Sequence, residues 1–245
     1  MMIAAALAGV LLAAADRARA ADRPVLVIND TNEPPFTTPD GQGFLDAVAG
    51  EAFRRAGVQL RLVKLPAERG LINANAGIED GDLTRIAGLE ANYPNLVRVP
   101  EKLIDWEFAA FGKHASLPAR WDTLRPRPVG HIRGWKIYEQ KMADAPHVVT
   151  AENPVQLFQQ LRRDRTEVAL YERWQGLSLI RSQQWTDVHV LAPSLARREM
   201  YLYLHKRHAA LVPKLAAALR AIKAEGLYDR LYREKVLSLG EAPAR

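Results

Sequence analysis

Between residues 25 and 77 the hydrophobic period of this chain alternates twice between that of a strand and that of a helix, and few architectures accept such an order. Residues 25–29, "VLVIN", form a short β-branched run. Leu45, Val48, Ala49, Ala52, Phe53 and Ala56 then share one helical face, and Gly57 supplies the stop. "VQLRLVKL" alternates apolar and polar residues as a strand does, and "PAERGLINANAG" opens a second helix on Pro66. This β-α-β-α order predicts an α/β sheet with helices packed on its faces.

The rest of the chain repeats the theme. "GDLTRIAG" reads as a third strand, "YPNLVRVPEKL" as an extended connection punctuated by prolines, and "WEFAAFGK" as another strand. The pattern restarts with a strand around 129–132, a helix near "WKIYEQKM" and a strand at "HVVTA". Asn153 is suited to cap a helix with Pro154 in its first turn and Val155, Leu157, Phe158 and Leu161 on one side. "EVALY" is a strand, "ERWQGLSLIRSQQ" a helix and "DVHVLA" a strand, after which "EMYLYLHK" alternates again. Two helices close the chain, one carrying Leu211, Leu215, Leu219 and Ile222, the other Leu227 and Leu231. The coarse picture is two α/β units with two extended crossings between them.

Composition decides which partners to expect. With 48% hydrophobic and 25% charged residues the chain can bury a proper core. Its first 20 residues, "MMIAAALAGVLLAAADRARA", join an apolar run too short to span a bilayer comfortably to a small-x-small pattern at Ala18-Arg19-Ala20. That reads as a secretory signal peptide, hence a periplasmic protein; an uncleaved anchor helix is the alternative. The absence of cysteine fits a compartment in which a large core makes disulfides unnecessary. The net charge of +6 is scattered over "RRDR", "ARR" and "KR", with no aromatic-interleaved basic tract, so nucleic acid is not the expected partner.

One loop interrupts this regularity. "TNEPPFTTPDGQG" follows the first strand and holds Phe36 behind two prolines. By composition alone it is a strand-to-helix turn with Phe36 folded onto the core.

The succession "EPPFTTPDGQGFLDAVAGEAFRRAGVQLRLVKLPAERGL", "VGHIRGWKIYE", "NPVQLFQQLRRDRTEVALYE" and "AIKAEGLYDRLYREKV" resembles the bacterial extracellular solute-binding proteins of family 3, over about residues 24–238. The resemblance implies a two-lobed periplasmic-binding-protein fold of type II. Lobe one would be residues 24–108 plus 203–245 and lobe two 110–200, joined by hinge strands at "WEFAAF" and "EMYLYL". A ligand would lie in the cleft between the lobes. The proline loop would face that cleft, with Phe36 covering the ligand as a rigid aromatic.

Candidate ligand-binding residues follow. Arginine suits a carboxylate because its planar fork makes paired bonds. Arg85, in a strand whose end would aim it at the cleft, is the first choice, although the Thr-x-x-Arg segment common in the family is missing, which puts ordinary amino-acid specificity in doubt. Arg69 opens a helix where family members often present a cleft residue; a surface ion pair with Glu68 or Asp82 is the bland alternative. "RGWKIYE" is suited to offer backbone N–H groups to a carboxylate, with Gly134 and Trp135 as its lip and Tyr138 behind, unless Tyr138 is simply core. Glu172 falls where the family places its amine-binding acid, with Tyr171 beside it; a helix-dipole role explains Glu172 equally well. Glu33 is a weaker candidate on the proline loop.

Chemistry beyond binding finds little support. The six histidines form no HExxH or carboxylate-rich metal pattern, and there is no GxSxG elbow, P-loop or dinucleotide fingerprint, so neither metal nor cofactor is expected. The reading is a monomeric, non-enzymatic solute-binding protein for a small polar or anionic solute, working with a membrane permease complex of ABC type or with a sensor. The fold also resembles that of periplasmic cyclohexadienyl dehydratases, in which Glu172 or Glu33 would transfer a proton.

Overall fold

The computed structural model describes residues 23–240, so the signal-peptide reading of residues 1–20 lies outside the described residues. Ten strands form one continuous curled sheet in the order β2-β1-β3-β10-β5-β8-β6-β7, with β4 added to β10 and β9 to β5. In the first lobe β1 (Val25–Asp30) runs parallel to β2 (Gln59–Lys64) and to β3 (Gly81–Arg85). In the second lobe β6 (Val129–Ile132) runs parallel to β7 (Val148–Ala151) and to β8 (Val168–Glu172). Such parallel sets need helical crossovers that cover their faces, which the period switches in the sequence provide.

Two strands join the sets. Long β10 (Ala196–His205) serves both lobes. Its first half pairs antiparallel with β5 (Ile104–Gly112) from Ala196↔Phe108 to Met200↔Ile104. Its second half, after a register break between Tyr201 and Tyr203, pairs with β3 and with β4 (Leu96–Arg98). The chain leaving the first lobe is clamped to the same strand, Val99 N–H donating to Leu202 O at 2.9 Å and Leu103 N–H to Met200 O at 2.8 Å. Strand β5 continues into the second lobe, antiparallel to β8 and to the short β9 (His189–Val190). What reads as "DVHVLA" is thus a strand of two residues, because β5 offers β9 only its last two positions.

The helices sit where periodicity placed them. Helix α1 (Phe44–Arg55) buries Phe44, Leu45, Val48, Ala49, Ala52 and Phe53, and Gly57 beyond it takes a φ of +83°. Its start is tied down by Asp46, whose Oδ2 accepts from the N–H groups of Gly43 and Thr38, each at 2.9 Å. Helix α2 (Ala67–Ala76) ends on left-handed Gly77. In the second lobe follow α3 (Trp121–Leu124), α4 (Lys136–Lys141), α5 (Pro154–Arg162) and α6 (Arg173–Ser182). Asn153 caps α5, its Oδ1 accepting from Gln156 N–H at 2.9 Å. Helices α7 (Val212–Ala224) and α8 (Leu227–Lys235) return to the first lobe, where Phe44 meets the rings of Tyr228 and Tyr232 edge-on at 5.0 and 5.3 Å. Among the described residues no helix is long and apolar enough to cross a membrane.

Candidate functional site

The carboxyl ends of β1 and β3 face those of β6 and β8 across a cleft, the usual place for a ligand in parallel α/β sheets. Three cavities run along it. Thr31, Leu71, Thr84, Arg85, Ile86, Leu89, Trp106, Phe108, Gly134, Trp135, Lys136, Ile137 and Met200 line the first, which has about 520 Å³ of empty space, part of it open to solvent. A second is lined by charged groups, among them Asp30, Glu33, Lys64 and Glu152, and shares Thr31 and Trp135 with the first. Tyr171 belongs to the second and to a third, which also has Pro34, Gln175 and Ser178 on its wall.

Arg85 ends β3 and is 8% exposed. Its Nη2 donates to Asp82 Oδ2 at 2.8 Å and to Ala67 O at 2.7 Å, while its buried Nε has no partner. Asp82 also accepts from Asn29 Nδ2 at 2.8 Å, so three polar residues of neighbouring strands hold one another in place. This packing requires glycine at position 70 of α2: a Cβ there would sit 1.9 Å from Asn29 Nδ2. The guanidinium is anchored at Nη2, with Nε beside it left without a partner.

Facing it stands an aromatic wall from the second lobe and the crossing strand. Trp135 stacks on Tyr171 with centroids 4.9 Å apart and lies 5.1 Å from the ring of Trp106. Trp106 Nε1 is buried without a partner. Residues Trp106 and Phe108 escaped sequence reasoning; the signal was the alternation in "WEF", which places both on one face of β5. Lys64 and Lys136 escaped it as well.

The charged cavity is chemically different because Asp30 and Lys64 in it are committed to each other. Asp30, fully buried, accepts from Lys64 Nζ at 2.7 Å, Thr37 Oγ1 at 2.7 Å and Asn32 N–H at 2.9 Å. Lys64 also donates to Asn32 O and to Thr37 Oγ1. The proline loop is therefore held by the end of β1. Burial raises the Glu33 carboxyl, with Lys64 opposing and Asp30 adding to the effect.

Contacts that bridge the lobes include two made by cavity-lining residues. Glu33 N–H donates to Gln175 Oε1 at 2.7 Å, and Lys136 Nζ pairs with Glu68 Oε2 at 2.7 Å. The bond to Glu68 raises the Lys136 ammonium, against burial, with Glu139 assisting.

Of the residues singled out by sequence, Arg85, Gly134 and Trp135 come together on the first cavity, and Glu33, Trp135 and Tyr171 on the second. The others are placed elsewhere. Phe36 is fully buried in the core and lines none of the three cavities; Glu33 and Pro34 present the loop to the cleft instead. Arg69 is exposed on α2, away from all three, as the tilt of its helix turns Ala67 and Leu71 inward. Tyr138 is core, its hydroxyl donating to Tyr171 O at 2.8 Å and lying 3.2 Å from Ala109 O; burial pushes its ionisation far up. Gly134 N–H donates to Glu139 Oε1 at 2.7 Å, so the chain's own carboxylate holds the position read as a ligand cradle.

Glu172 is wholly buried and caps α6, accepting from Gln175 N–H at 2.9 Å and Glu107 N–H at 3.3 Å. Burial pushes its carboxyl up to about 8 despite these bonds. It lines none of the three cavities.

With this geometry in view, the comparisons with known proteins concern the fold. No protein-family model matches the chain. An uncharacterized protein of Shewanella oneidensis is 24% identical over 186 residues, 73% of this chain and 70% of that protein. An ancestral arginine-binding protein bound to arginine superposes with a TM-score of 0.75 at 18% identity, covering 87% of this chain and 98% of the other. The GluR0 ligand-binding core complexed with L-glutamate gives 0.77 at 10% identity, over 88% and 99%. A histidine kinase sensor domain with similarity to periplasmic binding proteins gives 0.75 at 18%, over 87% and 96%. The protein has the two-lobed α/β fold of the periplasmic binding proteins, and the resemblance to a divergent family 3 solute-binding protein stands at the level of that fold.

Proposed function

We propose that this chain is a solute-binding protein that captures a small polar or anionic solute of amino-acid size in the cleft between its lobes. The observation that carries the reading is Arg85, anchored at Nη2 while its buried Nε, without a partner, belongs to a residue lining the cavity. A buried donor of this kind is costly unless something completes it, and a ligand carboxylate does so. The lobes, residues 24–108 with 203–245 against 110–200, swing about β5 and β10, and contacts made from both sides favour the closed form.

The closed form, in the periplasm and as a monomer, is what an ABC-type permease would read. The likeness to a histidine kinase sensor domain supports a second reading, in which a membrane sensor reads it instead. Turnover is not part of the proposal. An acid catalyst must reach its substrate: Glu172 lines no cavity of the cleft, and Glu33 lines the second and third but not the first, where Arg85 stands. Incubation with prephenate or arogenate is expected to yield no aromatic product, and a product that disappears in Glu33→Gln would restore the enzyme reading.

A thermal-shift screen of amino acids, amines, peptides and organic acids tests the binding function. A solute at ~100 times its dissociation constant stabilises the fold by about 2.7 kcal/mol, a readily visible rise in melting temperature. A flat response to the whole panel at millimolar concentration would sink it.

A further inference from the structure

The lining of the first cavity narrows the solute class, an inference that rests on the binding function proposed above. Its walls are Leu71, Ile86, Leu89, Phe108, Ile137 and the two indoles, and of the polar side chains set into them those of Arg85, Trp106 and Lys136 can only donate. Arg85 Nε and Trp106 Nε1 are both buried without partners. Thr84 Oγ1 already accepts from Asn32 Nδ2 at 2.9 Å, which leaves its O–H to give. No carboxylate lines this cavity among the described residues. The acids behind it line none of its wall: Asp82 holds Arg85 and Asn29 through Oδ2, its Oδ1 being buried without a partner, and Glu68 pairs with Lys136.

We propose that this cavity takes a carboxylate with an apolar body and no α-ammonium group, its carboxylate on Arg85 and Trp106 and its body against Trp135 and Phe108. A carboxylate only accepts hydrogen bonds, so it matches a set of donors. An α-ammonium would enter a space that already holds Arg85 and is edged by Lys136, with no anion to meet it, and an unpaired buried charge is strongly disfavoured. The apolar walls favour a hydrocarbon body, and stacking on the indoles favours a flat one. The acids of the charged cavity stand outside this one: Asp30 is engaged by Lys64, Thr37 and Asn32, and Glu33 and Glu152 line the second cavity but not the first.

Matched pairs decide it. The full chain is titrated with 3-phenylpropanoate and L-phenylalanine, with hexanoate and L-norleucine, and with phenethylamine, by calorimetry and by the fluorescence of the cleft tryptophans. Each acid is expected to bind at least about tenfold more tightly than its amino-acid counterpart, the loss of one ion's compensation being worth that much or more, and phenethylamine is expected not to bind. Trp106→Phe removes the N–H and keeps an aromatic, though smaller, ring, so it is expected to weaken 3-phenylpropanoate by at least about threefold to tenfold, the worth of one hydrogen bond. Amino acids binding as tightly as the acids, or a Trp106→Phe protein binding 3-phenylpropanoate unchanged, overturn this assignment. If all five probes fail while the wider screen finds another solute, the assignment falls and the binding function stands; if the screen is empty too, both fall.

Discussion

Arg85 and Glu172 occupy equivalent places: each is the last residue of a five-residue buried strand, β3 in one lobe and β8 in the other. Their fates differ. Arg85 lines the apolar cavity with one nitrogen unpartnered, whereas Glu172 turns away from the cleft and is enclosed by backbone donors. The difference lies in what each side chain meets. Tyr171 reaches the cleft from β8 and stacks on Trp135, while its neighbour Glu172 is taken up as the cap of α6. A charge at a strand end is thus a candidate for binding only when the next element does not claim it, and a partner left open is a better marker than charge itself.

The strongest test of this contrast is pH. The folded Glu172 carboxyl sits at about 8, above its ordinary value of 4.5. Between those values the folded protein holds a proton that the unfolded chain has released, so the group's contribution is fully present below the lower value and is lost as pH rises toward the higher one. The melting temperature is expected to fall between about pH 5 and pH 8, over a range worth a few kcal/mol. Glu172→Gln, which cannot titrate, should flatten that slope without changing solute affinity. A variant whose melting temperature follows the same slope as the parent would break the comparison from the sealed side.

Arg85→Met acts on the open side. Hydrogen bonds to charged groups are worth about 1.5–3 kcal/mol, so affinity for the best anionic solute should drop about tenfold to a hundredfold. Calorimetry showing an unchanged dissociation constant would remove Arg85 from the site. Gly70→Ala probes how the guanidinium is held, because its Cβ would displace Asn29 and loosen the Asn29–Asp82–Arg85 chain. Overpacking of this kind costs about 1–3 kcal/mol, measurable by urea unfolding. Least of all should Glu33→Gln matter: lying across Trp135 from the apolar cavity, it is expected to leave solute affinity within about twofold, the range of a substitution remote from the contacts. A larger loss would show that the two cavities act as one site.

Legibility followed distance along the chain. The cap at Asn153, the stop at Gly57 and the face of α1 were all readable, since each depends on residues within a turn or two. Arg85, Trp135, Gly134, Glu33 and Tyr171 could be picked out as residues at strand ends and loop tips, where cleft groups come from. Trp106 and Phe108 could not, because an apolar alternation in a strand looks the same whether it faces a core or a cavity. Phe36 illustrates the reverse: the prolines marked a constrained loop, but the constraint serves to seat Phe36 in the core.

The order of strands and helices, and therefore an α/β sheet in two units, was written in hydrophobic period, which is a local property of the backbone. Which side chains meet was settled only when β10 brought the two parallel sets face to face. That pairing joins residues more than a hundred positions apart, such as Glu33 with Gln175. It also decides which polar groups find partners within the chain, and so which are left for a ligand.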